Sequence, residues 1–145
     1  MSSQDKELEK LAYDAFPFLF SEWNAEIIES RYEQRVFGNG FVVIRAANVL
    51  VRIVRDRNVL SVEIGPLNAD LGDWFDLERV VQILHGLTIG WPISEGRVND
   101  LGRVLRENLP DIMSGFASER FATTKARLQA ALENARRPPD ESDCR

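Results

Sequence analysis

The sequence predicts an α+β domain: a four-stranded antiparallel meander sheet packed on one face by N-terminal and C-terminal helices. Residues 41–64 contain three apolar runs separated by two short turns, each with an asparagine. Helical apolar spacing precedes this stretch and returns after it, which favours separate helical and sheet layers. The predicted strands are 25–34, 41–47, 49–56 and 59–64.

An amphipathic helix is predicted at the start of the chain. Its apolar residues recur three and four positions apart and form one stripe. Pro17 interrupts this stripe. Because proline lacks a backbone N–H, we expect either a kink or a second helix that has Pro17 in its first turn. The stripe consists of Leu8, Leu11, Ala12, Ala15, Phe16, Leu19 and Phe20.

The first strand, 25–34, is less apolar than the later ones and is therefore predicted to lie at an edge of the sheet. Its residues alternate in two sets, one of which contains Tyr32. At the other end of the meander, Gly65-Pro66 is predicted to end the sheet, since proline cannot continue a central ladder. The two sets are Ile28, Ser30 and Tyr32, and Ile27, Glu29 and Arg31.

The three apolar runs are predicted to pair in one register. Two-residue turns at 47–48 and 57–58, where asparagine tolerates a positive φ, bring β-branched residues opposite each other. A slip of one residue would divide these side chains between both faces. On the other face Arg52 lies opposite Glu63, an ion pair of about 0.2–1 kcal/mol. The predicted apolar rows are Val42, Ile53 and Val62, and Ile44, Val51 and Ile64.

Two helical segments are predicted after the sheet. Leu77–His85 has an apolar stripe, and Asp73 or Asp76 is a candidate cap at its start. From residue 98 onward apolar residues again recur at helical spacing. We expect segment 98–116 to cover the sheet together with the N-terminal helix, with a bend at Pro110.

The composition is typical of one globular domain. Of 145 residues, 44% are hydrophobic and 28% are charged, so a single domain over residues 1–136 is expected. Residues 137–145 lack apolar anchors, and a disordered tail is predicted there. The net charge of −5 argues against nucleic acid and anionic membrane as partners and suits a basic protein partner.

The sequence also indicates a reducing compartment. Its one cysteine, Cys144, cannot build a disulfide framework or a cysteine-based metal site. No apolar run approaches the ~20 residues of a membrane span. Residues 1–10 are polar, without the apolar segment of a signal peptide. We therefore expect a cytoplasmic protein with no metal and no cofactor.

No catalytic constellation is evident. His85 is the only histidine, and as a general base it would need a nucleophile and an orienting acid. A histidine that interacts with a helix C-terminus is the favoured interpretation. Asp70, Asp73, Asp76 and Glu78 could attract a cation. Their spacing does not match a calcium-binding loop, so helix capping and solvated charge are favoured.

Four motifs in the first 85 residues carry a resemblance. They are Phe16-Pro17-Phe18-Leu19, Arg55-Asp56-Arg57, Ile64-Gly65-Pro66 and Asp73-Trp74-Phe75-Asp76-Leu77. With the order helix, meander, short helix, they resemble small bacterial domains of unknown function, some grouped with immunity proteins of polymorphic toxin systems. The resemblance implies a protein that binds and blocks a toxin in the cytoplasm, without a cofactor.

The function predicted first is a non-enzymatic protein-binding domain that occludes the surface of a partner. Tryptophan and arginine are frequent at the energetic centres of protein interfaces. The candidate contact residues are Tyr32, Arg45, Arg52 and Glu63 on the outer sheet face, and Trp91 in the glycine-rich connection after the short helix.

Two alternatives stay open. The outer sheet face is partly apolar, which suits a homodimeric adaptor or chaperone-like protein. A small enzyme would use His85 or the acidic loop of residues 70–78. The apolar residues behind the dimer hypothesis are Phe41, Val43, Leu50 and Val54.

Overall fold

The computed structural model describes residues 3–32, 39–56, 59–85 and 98–136. The fold is α+β, as predicted, with one antiparallel sheet and several helices. The strands are β1 (Glu26–Tyr32), β2 (Gly40–Ala46), β3 (Val49–Asp56), β4 (Val59–Pro66) and β5 (Phe75–Asp76). The α-helices are α1 (Ser3–Ala15), α2 (Pro17–Glu22), α3 (Leu77–His85), α4 (Val98–Gly115) and α5 (Phe121–Arg136).

The predicted register of the meander is confirmed. Ile53 of β3 pairs with Val42 on one side and with Val62 on the other. Val51 likewise pairs with Ile44 and Ile64. All six side chains are fully buried, so the alternation of β-branched residues set the register as expected.

The prediction of four strands is wrong, because the sheet formed by the described residues has five in the order β1-β2-β3-β4-β5. The fifth strand is only Phe75–Asp76, which pairs with Glu63 and Ile64. Gly65-Pro66 also does not end the sheet where predicted, since β4 continues through Pro66, which pairs with Val49. A proline in the last position of a strand removes only one N–H donor, which the end of a ladder tolerates.

The first strand lies at an edge, as predicted, but its alternation is broken. A β-bulge shifts the register between Ile27 and Glu29, so the two faces exchange residues at that point. Tyr32 therefore pairs with Gly40, in the row that faces the helices. A Cβ on Gly40 would meet Leu8 of α1. The placement of Tyr32 on the outer face is thus corrected.

The turn between β2 and β3 has the predicted length and an unexpected conformation. The residue with positive φ is Ala47, at 53°, and not Asn48. The side chain of Asn48 instead donates from Nδ2 to the carbonyl oxygen of Met113, at 2.8 Å. The turn is therefore attached to α4, and this hydrogen bond favours the backbone conformation that the turn adopts. The second predicted turn, at 57–58, lies outside the described residues.

Pro17 begins a second helix, which is one of the two outcomes predicted for the N-terminal stripe. It occupies the first turn of α2, where a missing N–H is tolerated. The junction of α1 and α2 packs tightly on α4. A Cβ on Gly102 would collide with the carbonyl oxygen of Ala15, so only glycine permits this close approach.

The core lies between the inner face of the sheet and the helices. Inner strand residues and residues of α1 to α5 form one buried cluster, which is consistent with helices packing on one face. Helix α4 continues through Pro110, and the bend predicted at Pro110 stays a prediction. Pro110 is exposed, so its ring faces away from the core. The stripe residues of α4 in the cluster are Leu101, Val104, Leu105, Leu109 and Ile112.

Candidate functional site

The outer face of the sheet is organised around Arg52 of β3. Its Nε lies 2.7 Å from Oε1 of Glu63, and its Nη2 lies 2.6 Å from the same oxygen. Both side chains keep about a quarter of their surface exposed, 24% and 23%. The two residues face each other across β3 and β4, as predicted, and the contact is a charge-assisted hydrogen bond.

Two aromatic rings flank the guanidinium of Arg52. The ring centre of Trp74 lies 4.2 Å from Cζ, and that of Phe41 lies 5.9 Å from it. An arginine that stacks on aromatic rings gains cation–π attraction in addition to its ion pair. This group of five residues, which we call the outer surface, consists of Phe41, Arg45, Arg52, Glu63 and Trp74.

The short strand β5 places Trp74 on this face. Phe75 pairs with Ile64 and is buried with the core, so its neighbour Trp74 points to the opposite side. A Cβ on Gly65 would lie 3.1 Å from Cε3 of Trp74, which shows that the indole lies directly over the glycine. The absence of a side chain at Gly65 therefore lets the ring lie flat against β4.

Charged pairs surround this centre. Arg45 forms an ion pair with Glu26 across β1 and β2. Arg31 and Glu29, both on β1, are 3.6 Å apart. These pairs are well exposed, and each therefore contributes little to the free energy of folding. They surround the aromatic centre of the outer surface with a rim of positively and negatively charged side chains, and a polar rim is common in protein interfaces.

Carboxylates also gather where β4, β5 and α3 meet. Partial desolvation raises the pKa of Asp76, and the negative charge of Glu63 raises it further. Desolvation likewise raises the pKa of Glu78, with a smaller contribution from Asp76. Desolvation is therefore the main reason that negative charge is unfavourable at this edge, and the nearby charge of Arg79 opposes the rise in both pKa values.

In the acidic loop, Asp73 is held by contacts within the protein. Asp73 is 8% exposed, and its Oδ1 lies 2.5 Å from Nζ of Lys125 on α5. Its Oδ2 accepts the backbone N–H of Asp70 at 3.0 Å. The Lys125 contact and that N–H lower the pKa of Asp73. Among the described residues no group of three histidine, cysteine or acidic side chains could hold a metal ion.

The predicted contact residues separate into three groups. Arg45, Arg52 and Glu63 lie on the outer face as predicted. Tyr32 does not, since it lies in the row that faces the helices. Trp91 lies outside the described residues, as do the predicted disordered residues 137–145.

The apolar part of the outer face is smaller than predicted. Val43 and Leu50 are only 4% and 7% exposed, although neither belongs to the core cluster. Phe41 and Val54 are half-buried. Val59, in the outer row of β4, is 50% exposed, so the exposed surface combines aromatic and charged side chains with a few aliphatic ones.

Trp74 is the residue of this site that the sequence analysis missed. In the sequence it stands out only as part of the motif Asp73-Trp74-Phe75-Asp76-Leu77, and it was not among the predicted contact residues. A local signal was present, because Phe75, which is buried, lies between Trp74 and Asp76, which are both more exposed. Such a pattern is typical of a strand, but two residues are too few to predict one.

Comparison with known proteins gives no relative for this chain. No protein-family model matches it, and neither does any curated protein or solved structure. In the part of the chain that the structure describes, none of the helices combines the length and the apolar character needed to cross a membrane.

Proposed function

We propose that this chain is a non-enzymatic, cytoplasmic protein-binding domain that acts by occluding the surface of a partner, as an immunity protein does. The partner is a protein, and a toxin is the candidate that the resemblance suggests. The outer surface makes the contact. The observation that carries the proposal is the position of Arg52, paired with Glu63 and stacked between Trp74 and Phe41.

The physical support comes from preorganisation. A tryptophan and an arginine that are already held in place lose little conformational entropy when a partner binds. Residues of these two types most often dominate the binding energy of interfaces. The mixed charges around them are screened only in part at physiological salt and can orient a partner.

The overall charge supports a basic partner. The chain has a net charge of −5. Opposite net charges speed the encounter of two proteins.

The alternatives have less support. A homodimeric adaptor would use the apolar part of the outer face, yet Val43 and Leu50 are buried. Light scattering measures this directly, since a monomer over a wide concentration range contradicts a dimer. An enzyme would use His85, whose side chain lies outside the described residues, or the acidic loop, in which Asp73 is already engaged by Lys125.

A charge exchange tests the proposal without removing the ion pair. The double variant Arg52→Glu/Glu63→Arg retains an ion pair on the sheet and reverses the charge that a partner meets. We expect a partner captured from a lysate of the source organism to be lost, with at least a tenfold fall in affinity for the purified partner.

The matched control is Glu22→Arg/Arg106→Glu. These residues form a similar pair, 2.9 Å apart, between α2 and α4, remote in sequence from the outer surface. This control should capture the same partner as the unchanged chain. A partner that both variants retain equally would place binding elsewhere and contradict the proposal. A partner that both variants lose would contradict it too.

A further inference from the structure

A cavity of about 400 Å³ lies where three distant parts of the chain meet. Asn48 comes from the β2–β3 turn, Leu67 from the loop after β4, Ser118 from the connection of α4 to α5, and Phe121 from the start of α5. Its volume falls in the range of ligand-binding cavities, about 300–1,000 Å³. We call it the junction cavity.

The polar groups that line the junction cavity share one chemical property, which is that they can accept hydrogen bonds. Nδ2 of Asn48 is used by the carbonyl oxygen of Met113. Because that carbonyl can only accept, the amide orientation is fixed and Oδ1 remains as an acceptor. Within the described ranges no donor is bound to this Oδ1.

Two further groups have acceptor capacity. The carboxylate of Asp73 receives Nζ of Lys125 on Oδ1 and the N–H of Asp70 on Oδ2. A carboxylate has about four lone-pair directions, so two remain. The hydroxyl of Ser118 donates its hydrogen to Glu119 at 3.2 Å, and its oxygen can still accept.

The other walls are apolar and aromatic. Phe116 and Phe121 pack with their ring centres 5.3 Å apart. Leu67 is 45% exposed and, with Pro66, completes the lining. An occupant with an apolar stem and several N–H donors therefore matches both the apolar walls and the free acceptors of this cavity.

We propose that the junction cavity binds an arginine side chain of a protein partner. Arginine is donor-only, has five N–H groups, and stacks on aromatic rings. Lysine is the weaker candidate, because its ammonium is strongly hydrated and has no planar face with which to stack on an aromatic ring. The cavity lining shares no residue with the outer surface, and the proposal does not depend on the function proposed for that surface.

The experiment titrates the full ¹⁵N-labelled chain with small blocked amino acids and follows the backbone resonances. The probe is Nα-acetyl-arginine methyl amide. The comparison probes are the corresponding lysine, leucine and glutamate compounds. We expect the arginine probe to shift the resonances of Asn48, Asn68 and Phe121 in a saturable way, with an affinity several-fold higher than that of lysine.

A pair of tryptophan variants locates the binding. Ser118 and Ser21 are both exposed serines, so a large ring at either position leaves the core intact. Ser118→Trp should obstruct the cavity and weaken arginine binding at least fivefold. Ser21→Trp, on α2, should bind the probe as the unchanged chain does.

Three results would overturn the inference. They are equal or tighter binding of the leucine or glutamate probe, unchanged arginine binding by Ser118→Trp, and arginine-induced shifts that are absent or scattered over the surface. The exchange of Arg52 and Glu63 should leave probe binding unchanged. A negative result in the probe titration and a negative result in the partner-capture experiment can therefore be told apart.

Discussion

At the scale of single residues, the backbone of Ala47 is the clearest departure from ordinary geometry. Its φ of 53° lies in the left-handed region, which disfavours any residue with a Cβ. We predict that Ala47→Gly increases the free energy of unfolding by about 0.5–1 kcal/mol, because relief of the strain exceeds the added entropy of the unfolded chain. Urea denaturation measures this change.

The control is the neighbouring alanine. Ala46 is buried at the end of β2 and pairs with Val49, so Ala46→Gly should decrease the free energy of unfolding by about 0.5–1 kcal/mol or more. Equal changes in both variants would mean that the left-handed backbone of Ala47 is not strained.

Asp76 yields a prediction about pH. Its folded-state pKa is raised, so its stabilising contribution is present below the unfolded pKa and is lost as the pH rises through the folded pKa. Charged Asp76 therefore opposes folding at neutral pH. We predict that Asp76→Asn stabilises the protein at pH 7, modestly because Asp76 retains solvent access, and has no effect at pH values below the ordinary carboxyl pKa of about 3.9.

Asp73 serves as the opposite case for the same measurement. Its pKa is lowered, so its contribution is present above the unfolded pKa and is lost as the pH falls through the folded one. Asp73→Asn should therefore destabilise the protein at pH 7. Thermal denaturation of both variants across the pH range is the test, and equal signs at pH 7 would contradict this account.

At the scale of elements, the strength of the local pattern decided what the sequence could predict. β-Branched residues that alternate over three runs determined the pairing of Ile53 with Val42 and Val62. The bulge in β1 was not predictable, because the residues around Ile28 alternate without a clear apolar face. Strand β5 was missed since two residues are too few for a strand pattern, and its pairing with β4 depends on the course of the irregular loop 67–74.

Helix α4 permits a test of the internal proline. Pro110 removes a backbone hydrogen bond and crowds the preceding turn, but α4 continues through it. We predict that Pro110→Ala increases the free energy of unfolding by about 1–2 kcal/mol, after the added entropy of the unfolded chain is subtracted. Chemical denaturation provides the value.

Glu107→Ala, at an exposed position of the same helix, is the comparison and should change stability by less than about 0.5 kcal/mol. If Pro110→Ala is neutral or destabilising, the helix has adapted its packing to the proline.

At the scale of the whole molecule, the sheet order determines which amides are best protected. Strand β3 has β2 on one side and β4 on the other, so each of its N–H groups faces a neighbour. We predict that Val51 and Ile53 exchange hydrogen only through global unfolding, and that β1, at the edge and with its bulge, exchanges faster. Hydrogen exchange followed by NMR is the measurement, and equal protection of β1 and β3 would contradict it.

The candidate site was only half predictable from the sequence. The pair of Arg52 and Glu63 followed from the register alone, because both residues lie on strands with strong patterns. The stacking of Trp74 on Arg52 required the position of β5, and the junction cavity required the docking of the Asn48 turn on α4. Contacts between distant segments of irregular structure have no local signal.

The strictly sequential meander also has a consequence for synthesis on the ribosome. Strands β1 to β4 are complete by Pro66, whereas α4 begins only at Val98. A nascent chain can therefore assemble the sheet before α4 is available to cover the apolar inner face. During that interval the growing polypeptide is prone to aggregation. The yield of folded protein then depends on how soon the later helices are synthesised, or on a chaperone that covers the apolar face until they are.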